Sequence, residues 1–343
     1  MRAKPGELRL NIPHSYVRQS IRTMSKPYAH EIMIRHPKNP LLTARDFPGA
    51  AQIYNPSPVR FGDETILLLS IVMHQAEGSG RDVGQTHVAR SRDGVNFSIE
   101  EKPFIKWSGG EFPWNIVTTH FIDNRVTQIG EDYYILTPVM CLDGWDSPAM
   151  VLGRTRDFKT YERIEVVSLP KNRGASLFPE KIGGKYYRLE RPGGGDGSGG
   201  EIWLSSSPDL IHWGCCRPVL KPNYRYWNLN KVGPTPPVKT KDGWLDIIHG
   251  VFTPAGGSHY YIGAILLDLE QPWKVIGRTN GYLLRPEMDY EMHGNCDNVV
   301  FPCGVIADLK KDELLMYYGA TDDKICLATG KLSDVITACK EGR

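Results

Sequence analysis

Apolar residues run along this chain in short stretches rather than at helical spacing. Val126, Thr127, Ile129, Tyr133, Tyr134, Ile135 and Leu136 are β-branched, aromatic or aliphatic, and Gly130 interrupts them. That pattern predicts two strands joined by a hairpin at Gly130, with one carboxylate, Asp123, just ahead of the first strand. Asp is a common turn residue, but an acid at the mouth of a strand is also well placed to meet a ligand. No long window shows the 3.6-residue period, which excludes a helical domain.

The same unit recurs. A strand, a Gly/Asp turn, a second strand rich in Tyr, Trp or Leu and a third strand ending in a polar corner begin at NPSPVRFGDETILLLSIV, DNRVTQIGEDYYILTPVM, SLFPEKIGGKYYRLERP, PTPPVKTKDGWLDIIHGV and DNVVFPCGVIADLKKDELLMYYGAT. The last copy continues into KICLATGKLSDVITA. Starts roughly 50–70 residues apart suit four-stranded blades, each too small to bury both faces alone. We therefore expect an all-β fold, a five-bladed β-propeller over residues 46–343, in preference to a β-sandwich. Residues 1–45, with Pro5, Pro13, Pro27, Pro37 and Pro40, read as an extended N-terminal arm lying over the domain or over a neighbouring subunit of a homo-oligomer. The innermost strands of a propeller run parallel around its axis. Asn55, Asp123, the 172–176 and 230–235 segments and Asn298 would then converge at one mouth, the usual place for a ligand.

Composition narrows the partners. The 343 residues carry a formal net charge of +2, which gives no sign of nucleic acid or membrane. Seven cysteines, among them the adjacent Cys215 and Cys216, fit neither a disulfide framework nor a zinc spacing, and they read as reduced thiols in a cytoplasmic protein. No apolar run reaches transmembrane length, and the N-terminus lacks a secretory centre. No His/Cys/Asp cluster argues for a metal and nothing calls for an organic cofactor.

Several cations fall at equivalent places in the repeat. Arg173 lies in KNRGASLFPE, Arg191 ends the next strand, Lys231 precedes VGPTPP and His249 lies in IIHGV. Such a set at one mouth would bind phosphate, Arg through its planar fork and Lys as a point charge. Individually each has an ordinary explanation: Arg191 paired with Glu190 or Glu180, Lys231 in a solvated loop, His249 bonded within the core. The glycine-rich stretch 193–200 opens no helix, so it reads as a loop, a lid over the site, rather than a nucleotide cradle. Among the tryptophans, Trp114, Trp145 and Trp227 are the candidates to stack on sugar rings.

Taken together, DNRVT (123–127), LFPEKI (177–182), Arg191-Pro192, GWL (243–245), HGV (249–251), LLDLE (266–270), NVVFPCG (298–304) and YYGATD (317–322) resemble glycoside hydrolase family 130, the inverting β-mannoside phosphorylases and related β-mannosidases. The resemblance runs from about Asn39 to the C-terminus. It implies a five-bladed propeller in which Asp123 is the general acid, acting through a sugar hydroxyl. Arg173, Arg191, Lys231, His249 and Tyr260 would bind phosphate. Asn55 and Asp322 would contact the donor sugar and Phe301 the acceptor. Lys231 aligns only through a one-residue gap, which leaves Asn230 as its rival. Where the family usually carries an arginine after the first aliphatic strand this chain has Ser70, and a second arginine is replaced by the longer loop 74–82, in which Arg81 stands. Both departures fall in the implied donor subsite.

One acid opposite a group of cations is the pattern for phosphorolysis, because phosphate arrives as an anionic nucleophile and needs no general base. We expect inorganic phosphate as co-substrate and a β-linked manno-oligosaccharide or mannosyl-glucose as donor. The alternatives are a β-mannoside hydrolase of the same family, with Glu180 or Glu190 as base, and a non-catalytic sugar-binding propeller.

Overall fold

The computed structural model describes residues 29–74, 82–106, 118–141, 148–193, 200–222 and 227–342. Its strands fall into five consecutive antiparallel groups. The first comprises Ala50–Phe61, Glu64–Met73, Val83–Ser91 and Ser98–Ile99. The second comprises Thr118–Phe121, Arg125–Ile129, Asp132–Cys141, Ala149–Thr155 and Glu162–Val166. One parallel bridge, Gly84 to His120, joins these two into a nine-stranded sheet. Asn172–Leu177, Tyr186–Pro192, Ile202–Ser207 and Gly214–Leu220 form the third group. The fourth runs from Lys231–Gly233 through Gly243–Phe252 and His259–Leu267 to Val275–Arg278. The fifth is built on Val300–Pro302, Glu313–Ala320 and Lys324–Lys331.

Local chemistry makes these turns. The hairpin expected at Gly130 is present: Ile129 pairs with Asp132 around a two-residue turn, and Gly130 takes φ +64°, a conformation that costs glycine little. After Val83–Ser91, Ala149–Thr155 and Ile202–Ser207 in the first three groups a Ser/Thr-x-Asp corner recurs. Asp93, Asp157 and Asp209 each accept two backbone N–H groups from the following residues. These bonds hold each carboxyl well below its usual range.

Hydrophobic cores lie between neighbouring groups. Ile66, Leu68 and Val88 meet Phe121, Ile135 and Val151. Leu136 and Leu152 meet Ala175 and Leu177. Phe178, Leu189 and Leu204 meet Trp244, Ile248 and Ile265. Leu245, Ile247 and Ala264 meet Met316, Tyr318 and Ala328. Finally Tyr317, Ile325 and Leu327 of the fifth group meet Leu67, Leu69 and Ile71 of the first. Each sheet thus buries both faces against its neighbours, a contribution of roughly 25 cal/mol per Å² of apolar surface removed from water.

Two features of the fifth group differ from the repeat. Its outer strands come from the N-terminal region, where Ile34–Arg35 and Leu42–Thr43 pair with Lys324–Lys331. The continuation KLSDVITA is not a strand: Leu332–Glu341 is an α-helix. Leu332, Val335, Ile336, Ala338 and Cys339 are buried at three- and four-residue spacing, which sets the helical period, and Gly342 ends the helix at φ +63°. Among the described residues no helix is long and apolar enough to cross a membrane.

Candidate active site

Every group sends a residue from its first strand, or in the second group from the turn between its first two strands, to a single cavity. Its lining includes Asn55, Asp123, Arg173, Lys231 and Phe301, joined by Arg191, Tyr260, Cys296, Val299 and Asp322. Eight of the nine candidate residues therefore meet, drawn from positions up to 267 apart in sequence (322 minus 55).

Asp123 is buried and held in the left-handed region at φ +55°. Its backbone N–H donates to the Ser70 hydroxyl at 2.9 Å, its carbonyl accepts the Arg125 guanidinium, and its Oδ1 accepts Asn55 Nδ2 at 2.7 Å. Asn55 is itself left-handed, at φ +49°, where a register shift interrupts the pairing between Tyr54 and Ser57. Such backbone persists only where its surroundings over-determine it, and it concentrates at functional sites. Asn55 thus engages one carboxylate oxygen of Asp123, and the side chain lines the cavity. Asp322, the other carboxylate of the lining, is pushed up to about 6 by burial and then by the charge of Asp123. The same two causes raise the nearby Tyr54 phenol, burial first.

The same lining is also cationic, through Arg173, Arg191 and Lys231. Lys231 Nζ donates to the Tyr260 hydroxyl at 2.8 Å and lies over its ring, 4.8 Å from the centroid. Burial, and then the charges of Arg191 and Arg173, lower its ammonium to about 7. Arg191 is lowered to about 10 by burial and by Arg173 and Arg125. Among the described residues no ion pair involves Arg173, Arg191 or Lys231. Packing three like charges together with no carboxylate in direct ion-pair contact is unfavourable by itself, and a bound anion relieves it.

The ordinary explanations for Arg191 and Lys231 do not hold. Glu190 is buried against Arg188 at 3.0 Å and accepts Asn172 at 2.7 Å, whereas Glu180 is exposed and paired with Lys239. Neither glutamate lines the cavity. Lys231 rather than Asn230 faces it; Asn230 instead accepts the Thr253 amide.

His249 is the exception among the candidates. It is fully buried behind the lining, its ring 4.6 Å from that of Phe301 and 6.3 Å from that of Tyr260. Burial and the charges of Arg191, Lys231 and Arg125 hold it well below its usual value, so it is a neutral ring supporting the wall. Gly233 makes this packing possible, because a Cβ there would fall onto the His249 ring and come within 2.9 Å of Arg191 Cδ. Trp227 is likewise core and not a stacking platform: it is buried against Gly250 and Gly263 and donates to the Asn280 carbonyl. Asn298 uses its carbonyl to accept the Tyr260 amide. Trp114, Trp145, Arg81 and most of the glycine-rich loop lie outside the described residues.

Pattern reasoning passed over Cys296, Val299, Arg125 and the partnership of Ser70 with Asp123. Cys296 and Val299 flank Asn298, so the convergence of strand starts pointed to their neighbourhood. Burial and the charge of Asp322 raise the Cys296 thiol to about 11. Among the described residues no group of His, Cys, Asp and Glu side chains is placed to hold a metal.

A family profile described as β-1,4-mannooligosaccharide phosphorylase, glycoside hydrolase family 130, matches residues 20–341. The chain belongs to glycoside hydrolase family 130. Its family relatives include the β-1,4-mannooligosaccharide phosphorylase of Ruminococcus albus, 31% identical over 90% of this chain and 91% of that protein. The β-1,2-mannobiose phosphorylase of Listeria innocua is 38% identical over 73% of this chain and 67% of that protein. The solved structure of a Listeria innocua β-1,2-mannobiose phosphorylase with β-1,2-mannobiose superposes with a TM-score of 0.79 at 29% identity, covering 90% of this chain and 99% of that one. This family 130 chain is an enzyme, and glycoside phosphorolysis is the activity its curated relatives share.

Proposed function

We propose that the protein is an inverting phosphorylase of β-mannosides, taking β-manno-oligosaccharides or mannosyl-glucose and releasing α-mannose 1-phosphate with a shortened acceptor. The observation that carries this is a single cavity lined both by one anchored acid, Asp123, and by Arg173, Arg191 and Lys231, which have no carboxylate ion-pair partner among the described residues. A hydrolase needs a carboxylate to activate water, and the two glutamates considered for that task are engaged elsewhere. The relatives named above are phosphorylases of β-mannosides, which supports the same reading.

In this mechanism phosphate is held by the Arg173 and Arg191 guanidinium groups, the Lys231 ammonium and the Tyr260 hydroxyl. One of its oxygens attacks the anomeric carbon as the glycosidic C–O bond breaks, and the proton of Asp123 reaches the departing oxygen by way of a sugar hydroxyl. The cations offset the repulsion between phosphate and the electron-rich leaving group. Asn55 and Asp322 grip the donor sugar and Phe301 borders the acceptor. The ring of five inter-sheet cores, closing from the fifth group onto the first, supports a five-bladed propeller as the frame.

The test is to incubate purified protein with β-1,4- and β-1,2-linked mannosides and mannosyl-glucose, with and without inorganic phosphate, and to assay sugar 1-phosphate. Phosphate-dependent sugar 1-phosphate establishes the reaction and names the donor. Free mannose formed regardless of phosphate rejects it in favour of hydrolysis.

A further inference from the structure

Ser70, one of the two departures that the family resemblance marks, does not line the cavity. It lies on Glu64–Met73, where it is the one hydroxyl between Ile66 and Val72, and it is fully buried. Strands pair with it on both sides, opposite Tyr54 and Thr86. A lone hydroxyl in such an apolar strand must find a partner or cost the fold its desolvation. Its partner is the peptide N–H of Asp123, at 2.9 Å.

That bond crosses from the first strand group to the second. The neighbouring bonds of the same loop also come from the first group: Ser57 accepts the Val126 amide, Thr86 donates to the Phe121 carbonyl, and Asn124 donates to Thr86. These fix the residues on either side of the acid. Ser70 and Asn55 act on Asp123 itself, Asn55 at the carboxylate and Ser70 at the backbone. Asp123 is left-handed without being glycine, so its backbone favours relaxation toward negative φ. Rotation of the peptide between Ile122 and Asp123 would achieve that; it would turn the N–H away from Ser70 and loosen the backbone that carries the carboxylate. The Ser70 hydroxyl opposes that rotation by accepting the N–H in its present direction.

We propose that Ser70 is a positioning residue for the general acid, holding Asp123 in its left-handed conformation so that its carboxyl group lines the cavity. The inference rests on phosphorolysis of β-mannosides with Asp123 as the acid. Ser70→Ala removes the acceptor with almost no change in volume, and Ser70→Thr keeps it.

The experiment compares two donors at saturating phosphate. The alcohol of a β-linked mannobiose needs a proton to leave, whereas the phenolate of 2,4-dinitrophenyl β-mannoside leaves without one. Ser70→Ala is expected to lower kcat on mannobiose by about tenfold to a hundredfold, the scale of a misplaced acid. Its kcat on the aryl mannoside and its KM for phosphate should stay within about twofold. Ser70→Thr should restore turnover of mannobiose. Equal losses on both donors, or none on either, would overturn the proposal, since a merely structural serine does not distinguish leaving groups. Asp123→Asn separates the two levels. If it leaves mannobiose turnover intact, the reading of Asp123 as acid fails; if it is inactive while Ser70→Ala matches the native enzyme, only the role of Ser70 fails.

Discussion

The Lys231 ammonium donates to the Tyr260 hydroxyl at 2.8 Å, and no carboxylate pairs with it among the described residues. Burial and the adjacent Arg191 and Arg173 lower it to about 7, against an ordinary value of 10.5, while the charge of Asp123 opposes the shift. The unfolded chain therefore binds a proton that the folded one has released between those values, so this residue makes the unliganded protein more stable as pH rises from about 7 toward 10.5. Phosphate reverses the preference, because an anion beside the amine favours its charged form. Phosphate KM should rise several-fold from about pH 7 to about 8.5 as the charge is lost. Lys231→Arg, charged throughout, should follow the ionisation of phosphate alone. Identical profiles for the two proteins would reject the assignment.

Asp123→Asn should lower phosphorolysis of mannobiose by at least about a hundredfold. Its melting temperature should stay within a few degrees, since the amide can keep the bond to Asn55 through its oxygen. Kinetics beside a thermal melt checks both, and an active variant would remove Asp123 from the mechanism.

Glu190→Gln addresses the hydrolytic alternative. Glu190 neutralises the buried Arg188, whose guanidinium also lies 4.2 Å from the Trp213 ring centroid. Removing that charge strands a buried cation, so denaturant unfolding should show a loss of about 3–5 kcal/mol. The folded fraction should keep its kcat, because Glu190 does not face the cavity. A collapse of kcat in folded protein would restore Glu190 as a base.

Gly233→Ala places a methyl against His249 and Arg191. Overpacking of this kind costs about 1–3 kcal/mol. The displaced Arg191 should also raise phosphate KM while leaving donor KM nearly unchanged. Steady-state kinetics varying each substrate separately would show the split, and equal effects on both would argue against Arg191 as a phosphate ligand.

Much was legible in the order of residues. Short β-branched runs and Gly/Asp turns announce an all-β chain, because strand alternation and turn chemistry are local. The hairpin at Gly130 and the recurring Asp corners follow from that. The helix at Leu332–Glu341 is a miss of the same local kind, where the strand repeat was extended over a segment that carries its own helical spacing.

The sequence by itself determined the fold class, the strand starts that meet and, through its family signatures, the residue types of acid and cations. Tertiary structure decided which of them line the cavity. His249 and Trp227 went to the core, Lys231 rather than Asn230 took the wall, and Ser70 became the support of Asp123. The physical reason is that a strand's period fixes which face a side chain takes, whereas its partner depends on how one sheet stacks against the next. That stacking joins residues such as Asn55 and Asp322 across most of the chain, and no local pattern records it.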